Sequence, residues 1–144
     1  MSLQVEIHQD FPQPLSQVFA DLADHEKLGR ILGAPMTRLV DGSGEGGVNG
    51  LGSVRRVGPP VLGFEETVVG WKKDELIEYT VSKGGPIKNH LGRMIFRATP
   101  NGCHLHYVIT FDSKIPFAGP AIRNVLQKAA SEALVSWRAS SLAK

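Results

Sequence analysis

From Ser53 to Phe111 the chain is a succession of short β-branched and aromatic runs, broken by turn signals at Pro59-Pro60, Lys73-Asp74 and Asn101-Gly102. One long amphipathic segment follows, from Gly119 to about Leu142. Connections this short join neighbouring strands as antiparallel hairpins. About two fifths of the chain is therefore committed to an antiparallel sheet with a long helix available to cover one face, an α+β arrangement.

The turns also fix which residues oppose one another. A two-residue turn at Asn101-Gly102 sets Ala98, Phe96 and Met94 against Leu105, Tyr107 and Ile109 on one surface, with Arg97 and Thr99 against His106 and His104 on the other. A turn at Lys73-Asp74 pairs Val68 with Tyr79, Glu66 with Val81 and Gly70 with Ile77. A four-residue loop from Pro59 to Leu62 places Val57 opposite Phe64 and Arg55 opposite Glu66. Slipping any of these by one residue would reverse every facing.

Before the hairpins, Leu3, Val5 and Ile7 alternate with polar residues as in a half-buried strand, which Phe11-Pro-Gln-Pro14 stops. Leu15, Val18, Phe19, Leu22 and Ala23 then recur at helical spacing, and Asp24 is placed to cap a second short helix carrying Leu28, Ile31 and Leu32. Neither helix offers a basic reading face, so the pair is not read as a DNA-binding unit. Between Gly42 and Gly52 lie six glycines, and residues 42 to 47 spell G-x-G-x-x-G. A dinucleotide site of that spelling needs a helix directly after the glycines, to supply amides and a positive dipole end. Ser53-Val-Arg-Arg-Val-Gly-Pro-Pro60 reads instead as a strand running into a turn. No phosphate cradle is expected there, only a tight or mobile connection between strands.

The 144 residues suit one domain, 1–144, with 42% apolar and 21% charged residues. No apolar run approaches the roughly 18 residues that span a bilayer. The alternating N-terminus lacks a signal-peptide pattern, and the single cysteine, Cys103, agrees with a reducing compartment, so a cytoplasmic location is expected. Sixteen basic and 14 acidic residues give a net charge of +2. The basic residues are not interleaved with aromatics, so nucleic acid is not an expected partner. Oligomeric state stays open.

The order of strand, two short helices, glycine-rich connection, six further strands and a long terminal helix resembles that of the START-related SRPBCC superfamily. That superfamily includes the birch-pollen-allergen-like proteins and a polyketide cyclase/dehydrase-like branch. The residues that carry the resemblance are Pro14-Leu-Ser-Gln-Val-Phe-Ala-Asp-Leu-Ala-Asp24, Gly50-Leu-Gly-Ser-Val-Arg-Arg-Val57, Glu66-Thr-Val-Val-Gly-Trp-Lys72, Glu78-Tyr-Thr-Val81 and Pro100-Asn-Gly-Cys-His-Leu-His-Tyr107, together with the terminal helix. It implies a helix-grip fold: a seven-stranded curved antiparallel sheet around the C-terminal helix, with two short helices after the first strand. It also implies a cavity between sheet and helix for a small hydrophobic molecule, lipid- or polyketide-like, with no cofactor. Cys103 and Tyr107 stand where relatives often carry Thr and Trp, which alters the size and polarity of any such cavity.

The residues expected to line it are Arg55, Glu66, Tyr79, Met94, Phe96, Tyr107, Phe111, Leu126, Ala129, Ala133 and Trp137. A buried Glu66 is costly without the opposite charge of Arg55, and the pair either orients a polar ligand group or is a structural salt bridge. Tyr79 and Tyr107 put hydroxyls on an otherwise apolar face. Glu66 and His90 are weak candidates for acid/base work in an enzymatic alternative of cyclase, dehydratase or hydrolase type, without metal or nucleotide. A third alternative is a chaperone-like or regulatory interaction protein whose cavity is filled by side chains. His104 and His106 share an outward face, but no third ligand is evident beside them, so no metal site is expected. Cys103 reads as a small core residue.

Overall fold

The computed structural model describes residues 2–59 and 63–142, which form a seven-stranded antiparallel sheet with three α-helices. In chain order the elements are β1 (Leu3–Phe11), α1 (Leu15–Ala23), α2 (His25–Leu32), β2 (Met36–Val40), β3 (Val54–Val57), β4 (Phe64–Lys72), β5 (Leu76–Lys83), β6 (Ile87–Thr99), β7 (Gly102–Ser113) and α3 (Gly119–Leu142). The strand order is β1-β7-β6-β5-β4-β3-β2, so the first strand pairs with the last and β1 and β2 are the edges. This is the expected α+β helix-grip arrangement. Five strands, not six, follow the glycine loop, because β2 precedes it.

The hairpins show how turn chemistry sets register. Arg55 pairs with Glu66 and Val57 with Phe64, as expected; the four-residue loop assigned to Pro59–Leu62 falls partly on residues 60–62, outside the described residues. Val68 pairs with Tyr79 and Glu66 with Val81, but Gly70 faces Glu78 rather than Ile77. The β4–β5 turn is longer than two residues, with Asp74 at φ 62°, and a bulge between Val68 and Gly70 brings the strands back into the expected register. At β6–β7 the turn is Pro100-Asn101, and Thr99 pairs with Gly102. Pro100 has no N–H for the ladder, which disfavours the paired position that the Asn-Gly turn required of it. The shift is of two residues, so Met94 faces Tyr107, Phe96 faces Leu105 and Arg97 faces His104, and every side chain keeps its face.

The glycine loop is the tight kind of connection. Gly42 N–H donates to Val48 O (2.9 Å), Leu51 N–H to Glu45 O (2.8 Å) and Gly52 N–H to Val68 O on β4 (3.0 Å). Gly46, at φ 89°, lies against the ring of Trp71, where a Cβ would stand 2.5 Å from the indole. A side chain there would lift the loop off β4.

The helices cover the concave face. Val18, Phe19 and Leu22 of α1 are buried, and Asp24 caps α2 by accepting the Lys27 N–H at 3.0 Å. The terminal helix lies along β1, beside β7 and α2. Because β1 is an edge strand, alternate backbone groups have no strand to pair with, and polar side chains of α3 serve them. Arg123 Nε donates to Gln4 O, Gln127 Nε2 to Glu6 O and Arg138 Nε to Asp10 O, each at 3.0 Å, while Glu6 N–H donates to Gln127 Oε1 at 3.3 Å.

Seating on β1 rolls α3 away from the face expected for it. Ile122, Leu126, Ala130 and Trp137 pack on the core and Leu134 is fully buried, whereas Ala129 is exposed and Ala133 half-buried. Leu134, four residues beyond Ala130, supplies far more apolar area than Ala129, and burying a leucine is worth about 1.5–3 kcal/mol. Leu134→Ala is therefore expected to lower unfolding free energy by about 2–5 kcal/mol and Ala129→Ser by under about 0.5 kcal/mol, measured by urea denaturation. Equal effects would contradict this seating.

Candidate functional site

Among the apolar side chains of the concave face lies a connected set of polar ones. Arg55 is 2% exposed and Glu66 7%, and Arg55 donates from Nε (2.9 Å) and Nη2 (2.8 Å) to Glu66 Oε1. The β3–β4 pairing alone sets the two opposite each other. The guanidinium carbon also lies 4.6 Å from the centre of the Tyr79 ring, a cation–π contact. Burial pushes the Glu66 carboxyl upward, and the Arg55 charge pulls it back.

Behind Arg55 stands His25, 1% exposed, on the first turn of α2. Arg55 Nη1 donates to His25 Nδ1 (3.1 Å), which assigns the ring proton to Nε2, within 2.9 Å of Ser53 Oγ. Ser53 in turn donates to Gly50 O at 2.7 Å. The relay thus runs from the glycine loop through Ser53 and His25 to Arg55 and Glu66. Gly50 is packed too closely to be replaced, since a Cβ on it would stand 2.1 Å from Glu45 O. Burial, then the Arg55 charge, lowers the His25 pKa to about 4.

On the other side of Arg55, Tyr79 reaches across β6 to Tyr107, and the two hydroxyls are hydrogen-bonded. Gly92, the cross-strand partner of Tyr79, leaves room for the ring: a Cβ there would stand 2.3 Å from Tyr79 Cζ. Burial pushes the Tyr107 phenol well above its ordinary value. His90, 7% exposed, accepts the Val81 N–H through Nδ1 at 3.0 Å, and its ring lies 5.4 Å from that of Tyr79. Burial, with Arg55 contributing, lowers its pKa to about 4 as well. Both imidazoles are neutral at pH 7.

The structure thus brings Arg55, Glu66, Tyr79, His90 and Tyr107 into one cluster, with Met94 and Phe111 fully buried on the same face. Other residues expected in a lining lie apart. Phe96 packs edge-on against Phe19 of α1 and Trp137 against Phe11, while Ala129 lies outside the interior altogether. Cys103 is fully buried, and burial raises its thiol pKa. The sequence reading missed His25 and Ser53. His25 shares helical spacing with Leu28 and Leu32, and Ser53 shares strand parity with Arg55, so both signals were present. His104 and His106 do face outward, but the β1–β7 pairing, not registered from sequence, sets Glu6, His8 and Asp10 beside them.

The buried imidazoles predict an acid sensitivity of definite sign. Unfolded, each takes up a proton near pH 6.5; folded, near 4. The unfolded chain therefore binds more protons between those values, and stability falls as pH drops through that window, by up to about 3 kcal/mol per histidine. Urea midpoints measured between pH 7 and 4 should fall less steeply for His25→Gln than for the parent. Identical slopes would contradict the buried neutral state of His25.

A family model described as polyketide cyclase/dehydrase and lipid transport matches residues 2–141. No protein of curated function matches by sequence. By structure the chain is similar to Ara h 8.0201, at 17% identity and a TM-score of 0.67 over 97% of this chain and 99% of that one. It is also similar to norcoclaurine synthase from Thalictrum flavum, at 13% identity and a TM-score of 0.68 over 95% of this chain and 86% of that one. A protein from Mesorhizobium loti aligns at 11% identity with a TM-score of 0.70 over 94% of both chains. Identities this low carry the fold alone. The family match along nearly the whole chain makes this protein a member of the polyketide cyclase/dehydrase and lipid transport family, and the structural likenesses agree on its helix-grip fold.

Proposed function

We propose that this protein binds a small, mostly apolar or aromatic molecule carrying a polar group, held between the concave face of the sheet and α3. The observation that carries the reading is the Arg55–Glu66–Tyr79–Tyr107 cluster set among Met94, Phe111 and other fully buried apolar side chains. A few convergent polar groups in an apolar interior are what orient such a ligand. The Tyr79 and Tyr107 hydroxyls, now satisfied by each other, are the groups that would turn to a ligand carbonyl or hydroxyl. The related fold of norcoclaurine synthase was solved with dopamine and hydroxybenzaldehyde, small aromatics with polar substituents, which supports this class.

Met94, Tyr107 and Phe111 are between 0% and 2% exposed, so the site is closed by its own side chains and binding requires that they part. Met94, opposite Tyr107, has the flexible side chain best suited to move. A cleft of about 510 Å³ opens where β7 meets α3, among Leu3, Asn89, Ile115, Phe117 and Pro120, and Phe117 is wholly exposed on its rim. We read this mouth, which Lys88, Asp112 and Ser113 also line, as the way in. Acid/base chemistry at the same place is a second reading, supported by the raised Glu66 carboxyl and the neutral His90.

Uptake of an anilinonaphthalene dye tests the site, with native mass spectrometry of the purified protein to catch a copurifying molecule. Leu126→Trp, on the buried side of α3, is expected to reduce dye uptake tenfold or more with the circular dichroism spectrum unchanged. Ala129→Phe, on the exposed side, should leave uptake as it is. Full uptake by the Leu126 variant would contradict the reading, and a bound molecule released chemically altered would favour the enzymatic one.

A further inference from the structure

The outer face of the sheet, opposite the cluster described above, carries a second constellation. Glu6, His8 and Asp10 alternate on the outward side of β1, and His104 and His106 on that of β7, with His8 directly opposite His106 and Asp10 opposite His104. The five side chains are in contact. His106 Nε2 lies 2.8 Å from Glu6 Oε2, and the His106 ring stacks on His8 at 4.2 Å between centroids and 10° between planes. His8 Nδ1 lies 2.9 Å from His104 Nε2, and His104 Nδ1 lies 2.6 Å from Asp10 Oδ1.

We propose that Glu6, His8 and His106 form an open three-donor site for a divalent transition-metal ion of borderline hardness, for which Zn²⁺ is the representative. One ligand atom from each of the three lies within 4.8 Å of the others. Donors about 2.0–2.2 Å from a tetrahedral ion stand about 3.4 Å apart, so the three side chains must draw together and the His8 and His106 rings, now parallel, must tilt toward a common point. Two imidazoles and one carboxylate are a donor set that Zn²⁺ uses when it keeps a coordination position open. Imidazole nitrogen also selects against Mg²⁺ and Ca²⁺, which take oxygen ligands.

The surroundings supply an outer shell. His104 engages His8 at Nδ1, which leaves Nε2 of His8 for the ion, and Asp10 orients His104 in turn. The ion would enter between Glu6 Oε2 and His106 Nε2, replacing the hydrogen bond between them. Two paired strands present all three donors, so their backbone positions are set before the metal arrives. A bound ion would tie edge strand β1 to β7 from outside, while α3 holds β1 from within.

Isothermal titration of the full, tag-free chain with Zn²⁺ at neutral pH, after dialysis against a chelator, tests the site. The expected result is one ion per chain, with no comparable binding of Mg²⁺. His8→Ala and His106→Ala should each weaken binding at least tenfold while the urea midpoint of the metal-free protein, followed by circular dichroism, confirms a folded chain. His104→Ala, which removes only the orienting contact, should weaken it several-fold. Absence of binding up to millimolar Zn²⁺ would overturn the proposal. So would binding unchanged in both His8→Ala and His106→Ala, which would place the ion elsewhere, at His25, His90 or Cys103.

Discussion

The interior of this protein is organised around one guanidinium. Arg55 is buried, and three neighbours answer its guanidinium: Glu66 pairs with it, His25 accepts one of its N–H groups, and Tyr79 offers a ring face. A buried charge without such partners would cost several kcal/mol. The partners come from α2, β4 and β5, so satisfying Arg55 also fixes how the short helices and the first hairpins meet. Through Ser53 the same relay reaches the glycine loop, which is thereby part of the polar interior and not merely a connection over it.

How far the sequence revealed this depended on the reach of each signal. Alternation along β1 and the spacing within α1 were local and legible, as was the cross-strand pair of Arg55 and Glu66, since a hairpin's register follows from its turn. The β6–β7 turn was placed one residue late, yet the two-residue shift it produced kept Tyr107 inward. The bulge beside Val69 was missed although Gly70, an isolated glycine inside a strand run, is the kind of residue that marks one; it is what reconciles a longer turn with the expected pairing of Val68 and Tyr79. His25 went unnoticed because a histidine within a polar-looking helix start has no visible partner until α2 is laid beside β3.

The rotation of α3 was likewise beyond local pattern. Its moderately apolar stripe allowed more than one seating, and the choice was made by polar residues reaching the free edge of β1 as much as by apolar ones reaching the core. Arg123, Gln127 and Arg138, polar residues with no local signal of a partner, are the clasp. The consequence for function is geometric. The helix is anchored at the β1 edge, while the polar cluster runs from Arg55 on β3 to Tyr107 on β7, and the ligand space proposed above would have to open in the packing between helix and cluster.

Whether Arg55 and Glu66 act as one unit is best measured by a double-mutant cycle on unfolding free energy. Arg55→Met alone should cost about 3–5 kcal/mol by stranding a buried carboxylate, Glu66→Leu a similar amount, and the two together at least about 2 kcal/mol less than their sum. Additive losses would mean that the two charges do not depend on each other, and would contradict an interior organised around Arg55.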